Sequence, residues 1–312
     1  MIKFYKNDGL KLKTLDEIEQ GCWVHLENPT QAELVEVIEQ TKVNPDFLYA
    51  ALDEEEMPRI ERDDGQTLVV VNVVNENFHK ELNMYYDTIP LGIILLPDYF
   101  ITIGKEATAC VNFLVNKEIR VVSTARKNKL LIQLLYQMSK EYLKALQMID
   151  KVSLEMEAYL NQSADNKTVR DLYSLEKTLV YFKSSIRANE SVIKKINRYS
   201  WIHEYEEDTD LLEDTLIEIA QASDMSDINV NILIELREAF AIVMSNNLNI
   251  TMKVLASLTI VLTVPNMIFG FYGINTNLDE LPHILQFTHS VVVLAIALTL
   301  IIYIVLKRKD LL

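Results

Sequence analysis

The chain has 312 residues and a formal net charge of −15, with 45 acidic side chains against 30 basic ones. An acidic balance of this size excludes a nucleic-acid partner, whose phosphates demand Lys and Arg, and is compatible with cation binding. The two cysteines, Cys22 and Cys110, lie far apart with no CxxC pair. That excludes a disulfide framework or a thiolate metal site and predicts two buried small residues.

Met1 to Asp8 contain no apolar leader, so the body that follows is expected to stay in the cytosol. Up to Gly104, strand and helix signals alternate. Cys22-Trp23-Val24-His25-Leu26 reads as a strand, ended by Asn28-Pro29-Thr30. Thr30 is placed to cap a helix whose apolar face is Leu34, Val37 and Ile38. The acidic run Asp53 to Glu56, before Met57-Pro58, reads as the surface end of a helix. Thr67 to Val74 and Leu91 to Leu96 are buried-strand runs, and Tyr99 to Ile103 is a third, joined through a Pro97-Asp98 turn.

Beyond Gly104 the helical period takes over. Leu130 to Tyr159, Val169 to Tyr199 and Asp210 to Lys253 each run without Gly or Pro, with a turn at 161–166 between the first two. No breaker separates Asp210 from the apolar segment that follows. A single helix of roughly 50 residues, about 75 Å long, is predicted there, and a helix of that length needs neighbours. Asp210, Asp214 and Glu218 fall four apart on it, inside an acidic cluster that starts at Glu204. Like charges stacked this way cost a few tenths of a kcal/mol per pair unless a cation or solvent relieves them.

The last quarter holds two apolar runs, Val254 to Leu278 and Leu281 to Leu306, neither containing Lys, Arg, Asp or Glu. Each exceeds the ~20 residues needed to cross ~30 Å of hydrocarbon as a helix. The link between them carries Asp279 and Glu280, whereas Lys253 precedes the first run and Lys307-Arg308-Lys309 follow the second. The excess of Lys and Arg marks the cytosolic side, so a multi-pass protein of the cell membrane with both termini in the cytosol is expected.

In the first span Ala256, Thr259, Thr263, Asn266, Gly270 and Gly273 recur at alternating spacings of three and four, one face of a helix. The same rhythm extends back to Met252 and Asn249. Small residues on such a face allow close helix–helix contact. Asn266, costly in lipid without a partner or water, favours a water-filled path instead. Two helices of one chain cannot enclose a path, so several copies would have to form a ring, with the more uniformly apolar second span facing lipid.

The sequence Tyr272-Gly273-Ile274-Asn275, at the outer end of the first of two C-terminal spans, resembles the GxN family of divalent-cation channels, best known from the CorA magnesium transporters. The stretch from Ser245 to Leu255 and the basic Lys307-Arg308-Lys309 are also similar to that family, as are Trp23-Val24-His25-Leu26, Asn28-Pro29-Thr30 and Pro58-Arg59-Ile60-Glu61. The resemblance spans essentially the whole chain. It implies a CorA-like funnel: an α/β cytosolic N-terminal domain, a long helical stalk and two C-terminal transmembrane helices, assembled as a homopentamer. The expected organisation is an α/β domain over 1–125, helical bundle and stalk over 126–252, a pore-lining span over 253–274, an external loop over 275–284, a second span over 285–306 and a basic tail over 307–312.

The resemblance further implies a selectivity filter of Gly273 and Asn275 beside Tyr272. The pore would be lined by Asn249, Met252, Leu255, Ala256, Thr259, Thr263, Asn266 and Gly270, with Met252 and Leu255 as an apolar gate. Magnesium would be both the transported ion and a regulatory one, held between protomers by Asp214 and Glu76 with Asp210 and Glu218 nearby. Ile274 stands where the family usually has Met, which leaves cobalt, nickel or zinc open as the cargo. The five histidines show no metal-ligand spacing, and no P-loop or nucleophile–base set is present, so neither an enzyme nor an ATP-driven pump is expected. A non-conducting, membrane-anchored sensor is the reading from a different class.

Overall fold

The computed structural model describes residues 1–8, 11–75, 86–116, 122–159, 166–273, 288–309 and 311. The chain divides into two compact units, Met1–Arg237 and Glu238–Leu312.

The described strands of the first unit are β1 (Ile2–Asp8), β2 (Lys11–Leu15), β3 (Trp23–Glu27), β4 (Arg59–Asp63), β5 (Gln66–Asn75), β6 (Asp87–Leu95) and β7 (Phe100–Gly104). They form one sheet in the order β2-β1-β3-β7-β6-β5-β4. Its neighbours pair antiparallel except β3 with β7, whose register sets Trp23 against Phe100 and Leu26 against Ile103. β5 and β6 are near-continuous β-branched and apolar runs because both faces of the sheet are covered there.

Helices α1 (Gln31–Thr41) and α2 (Pro45–Ala50) cover one face, setting Leu34, Val37, Phe47 and Leu48 against Val24, Leu26, Leu68, Val70, Ile94, Ile101 and Ile103. Thr30 caps α1 as its sequence predicts: its hydroxyl accepts from the Glu33 N–H, and the Glu33 carboxylate accepts from the Thr30 N–H. Gly92 is needed where α2 ends on the sheet, since a Cβ there would come 2.3 Å from the Ala51 Cβ.

Helices α3 (Ala109–Val115), α4 (Lys127–Tyr159) and α5 (Asn166–Ile196) complete the unit's helical layer. The Tyr142 ring of α4 meets Phe182 of α5 edge-on, 5.2 Å between centroids. Asn72 of β5 lies opposite Pro90, which has no N–H to give the ladder. The Asn189 amide on α5 serves both backbone groups of Asn72 instead, accepting from its N–H at 2.9 Å and donating to its carbonyl at 2.7 Å. The Tyr142 hydroxyl donates to the same carbonyl at 2.9 Å.

A short 3-10 turn (Ser200–His203) leads into α6, Glu206–Gly273, which crosses the boundary between the units. Asp208 is its one buried carboxylate in the first turn, 1% exposed, and it receives the Arg126 guanidinium at 2.8 Å. Glu207 takes Arg126 and Lys129, and farther along α6 Asp227 takes Lys183 and Arg187 of α5. The second unit holds the rest of α6 and α7 (Thr288–Arg308). Both helices are long and apolar enough to span a bilayer. Only 6% of the apolar window of α6 and 17% of that of α7 are buried, whereas a core helix of a soluble protein would be mostly covered.

Two stability predictions follow from the first unit. The buried Thr102 hydroxyl accepts from the Trp23 indole N–H at 2.8 Å and shares a hydrogen bond with His25 Nδ1 at 2.9 Å. Burial, with a smaller contribution from the Lys3 charge, pulls the His25 pKa down to about 4. An unfolded histidine titrates near 6.5, so the unfolded state binds the extra proton first as pH falls. Stability is therefore full above pH 6.5 and is lost between 6.5 and 4, by about 3 kcal/mol at the lower end. Denaturation of the full chain followed by Trp fluorescence should show this loss, and His25→Gln should remove it. The second prediction concerns Arg126→Met, which strands the buried Asp208 charge and should destabilise the first unit by about 3 kcal/mol. Adding Asp208→Asn should recover more than half of that in the same assay.

Candidate functional site

The site is one face of α6. Within the second unit, Ser257 is buried and Val261, Val264, Pro265 and Ile268 are partly buried. At about 100° per residue these five share one side of the helix, the side that α7 covers. Asn249, Met252, Leu255, Ala256, Thr259, Thr263, Asn266 and Gly270 are all exposed and cluster about half a turn away from it. The polar stripe read from the sequence is therefore a continuous face of a single helix, pointing away from the protomer's other span. A Cβ added at Gly270 would meet nothing within 4 Å.

The hydroxyls on this helix are arranged in two ways. Thr251, Thr259 and Thr263 donate to the carbonyls four residues earlier, at 2.9, 2.8 and 2.7 Å. Ser257, on the covered side, donates to the Leu311 carbonyl at 2.7 Å, tying α6 to the chain beyond α7. Pro265 gives no N–H to the Val261 carbonyl. Val261 and Pro265 line an apolar groove of about 430 Å³ with Phe269, Ala295, Ile296, Thr299, Leu300 and Tyr303.

Gly273 closes α6, while Ile274 and Asn275 of the expected filter lie outside the described residues, as does the side chain of Tyr272. In the acidic row, Asp210 and Asp214 are exposed and Glu218 is partly exposed, all on the outer side of α6. The expected partner Glu76 also lies outside the described residues. Among the described residues no group of three His, Cys, Asp or Glu side chains could hold a metal within one protomer. Sequence reasoning missed the separate role of Asp208. The signal was available: Asp208, Leu212, Thr215, Ile219 and Ala222 step by four and three along the buried face, whereas Asp210, Asp214 and Glu218 step along another.

An α/β unit whose last long helix runs on into one of two charge-free C-terminal spans, with an uncharged polar face turned away from the second, defines a two-span membrane transport protein. Residues 19–308 match the family described as CorA-like Mg2+ transporter protein, and the chain belongs to that family. It is 25% identical over 317 residues to the cobalt/magnesium transport protein CorA of Methanocaldococcus jannaschii, covering 99% of this chain and 98% of that one. The complete structure of the CorA magnesium transporter from the same organism superposes with a TM-score of 0.78 at 23% identity, over 99% of this chain and 98% of that chain. The ZntB cytoplasmic domain from Vibrio parahaemolyticus superposes with a TM-score of 0.64 at 14% identity, over 78% of this chain and 98% of that domain.

Proposed function

We propose that this chain is a divalent-cation channel that carries magnesium down its electrochemical gradient into the cytosol. The observation that carries the reading is the uncharged polar face of α6, exposed in the single protomer and turned away from α7. Such a face in hydrocarbon needs water or a copy of itself. Copies arranged in a ring, five by family resemblance, give it both. α7 is then the outer, lipid-facing helix. The excess of Lys and Arg at Lys253 and Lys307-Arg308-Lys309 puts both termini in the cytosol.

On this reading the Gly273 carbonyls and Asn275 side chains, beside Tyr272, form the outer ring. Neutral carbonyls there hydrogen-bond the ion's water shell, which magnesium gives up reluctantly. Met252 and Leu255 close the inner end by excluding water. The row of Asp210, Asp214 and Glu218 faces a neighbouring protomer, where magnesium, shared with a partner carboxylate such as Glu76, holds the ring closed. When the ion leaves, the carboxylates repel and the gate opens. A cobalt, nickel or zinc carrier of the same build is the second reading, favoured by Ile274 in place of the family's usual Met.

Uptake of magnesium, cobalt, nickel and zinc into liposomes, with and without a proton gradient, tests both readings. Magnesium should enter fastest and without need of protons, and Asn275→Ala should cut that flux by about tenfold or more, the scale of a lost hydrogen bond to a charged shell. Flux unchanged by Asn275→Ala would remove the filter assignment, and zinc entering ahead of magnesium would favour the second reading. Separately, Asp214→Lys should weaken the protection that magnesium gives the first unit against limited proteolysis. Equal protection of wild type and variant would move the regulatory site elsewhere.

A further inference from the structure

We infer that the first unit carries a binding site for a phosphate group, free or borne by a small molecule, where β4, the start of α4 and the 3-10 turn before α6 meet. A cavity of about 450 Å³ lies there, within the range of small-molecule sites, and Arg62, Lys127, Asn128, Ser200, Trp201 and Glu204 are among the residues that line it. All six belong to the first unit. The neighbouring cations are already taken: Arg126 is paired with Glu207 and Asp208, and Lys129 with Glu207. Among the described residues Arg62 and Lys127 have no carboxylate within ion-pair distance. Arg62 is exposed and lies over the Trp201 ring, 5.6 Å from its centroid, so its planar fork of N–H donors stays available. The Lys127 ammonium donates to the Leu96 carbonyl at 2.7 Å and to the Pro97 carbonyl, which leaves one of its three donors.

Trp201 supplies an independent observation. Its ring stacks on Tyr199, 6.0 Å between centroids, and its carbonyl receives the Asn128 amide at 2.9 Å. Its indole N–H is buried and meets no acceptor among the described residues. Buried donors are normally paired, and an oxyanion drawn in beside Arg62 is an acceptor that would satisfy it. Lys127 also opens α4, and the N-terminal end of a helix adds partial positive charge and backbone N–H groups without intrahelical partners. Partial burial pulls the Lys127 pKa down, opposed by Asp98, and an anion in the cavity would act with Asp98 to keep the ammonium charged. Two unpaired cations match the two charges of a phosphate group, whereas a carboxylate answers only one. Glu204, exposed on the same cavity, is the opposing group and would repel the ligand.

The test titrates the full-length protein in detergent with inorganic phosphate, adenosine monophosphate and acetate, with EDTA present so that no metal bridges an anion to carboxylates. At about pH 8 both phosphates are dianions, since their second pKa lies near 6. Calorimetry should show saturable binding of phosphate or of the nucleotide, and the tighter of the two tells whether the group arrives free or as an ester. Arg62→Gln should weaken binding by about tenfold or more, the scale of a hydrogen bond to a charged group. Glu204→Gln should tighten it severalfold, a change that damage to the fold would not produce. Binding should also change Trp emission. Trp23 is fully buried in the sheet, so Trp201→Phe should remove that change. Absence of saturable binding by either phosphate, acetate binding as tightly, or an Arg62→Gln protein with unaltered affinity would overturn the site. An emission change that survives Trp201→Phe would place the anion elsewhere.

Discussion

Hydrocarbon offers no hydrogen-bond partner, and that constraint organises the second unit. Helix geometry satisfies the backbone of both spans, and the threonine hydroxyls are satisfied by the same helices that carry them, Thr299 through the Ala295 carbonyl and Thr259 and Thr263 through theirs. The strain left over falls on two neighbours. Pro265 withholds an N–H from Val261 on the side facing α7, where the surroundings are apolar. Asn266 carries more donors and acceptors than a single helix can serve, and it lies on the opposite, exposed side. Within a bilayer such a side chain needs a partner or water.

The acidic residues of α6 divide along the same logic of partnership. Asp208 is buried and paired with Arg126, and Asp227 is clasped by Lys183 and Arg187, whose hydrogen bonds, Lys183 foremost, hold its carboxyl below the usual carboxylate range. These contacts fix the start and middle of the helix to α4 and α5. Arg237 adds a third tie to Glu176 of α5 at 3.0 Å, at the last residue of the first unit. The carboxylates at Asp210, Asp214 and Glu218 lie outside this system of ties, on the solvent side. Carboxylates that hold the fold are thus distinguished from the exposed row by pairing, not by their position in the acidic run.

Much of this was legible in the chain. Strong periodicity marked α1 with its Thr30 cap, β5 to β7, the long α4 and α5, and an unbroken α6, because apolar spacing is a local signal. The N-terminal hairpin of β1 and β2 was not legible. Those strands carry Lys3, Lys6, Lys11 and Lys13 among their apolar residues, and their pairing depends on β3, more than ten residues away. The short α2 and α3 were equally hidden, since six or seven residues are too few to show a helical period. The stripe on α6 could be read as a face, but the direction of its hydroxyl protons could not, because that depends on rotamers the helix itself selects.

The chemistry of the face bears on which ion the proposed path suits. Zinc is held in proteins by His, Cys and carboxylate ligands that replace its waters, usually four at a time. Between Asn249 and Gly270 the exposed stripe of α6 offers none of these, only amide and hydroxyl oxygens, the Met252 thioether, and the small or apolar Leu255, Ala256 and Gly270. A surface of this kind lacks the ligands that strip and hold zinc; it suits an ion whose water stays in place. Any divalent ion could pass there as its hydrate, but selection among ions would then depend on how firmly each keeps its shell. Magnesium is a small, hard ion that dehydrates reluctantly, whereas zinc readily exchanges its waters for nitrogen and sulfur ligands. A path that rewards an intact shell favours magnesium over zinc, even though Ile274 departs from the family's usual residue at the filter.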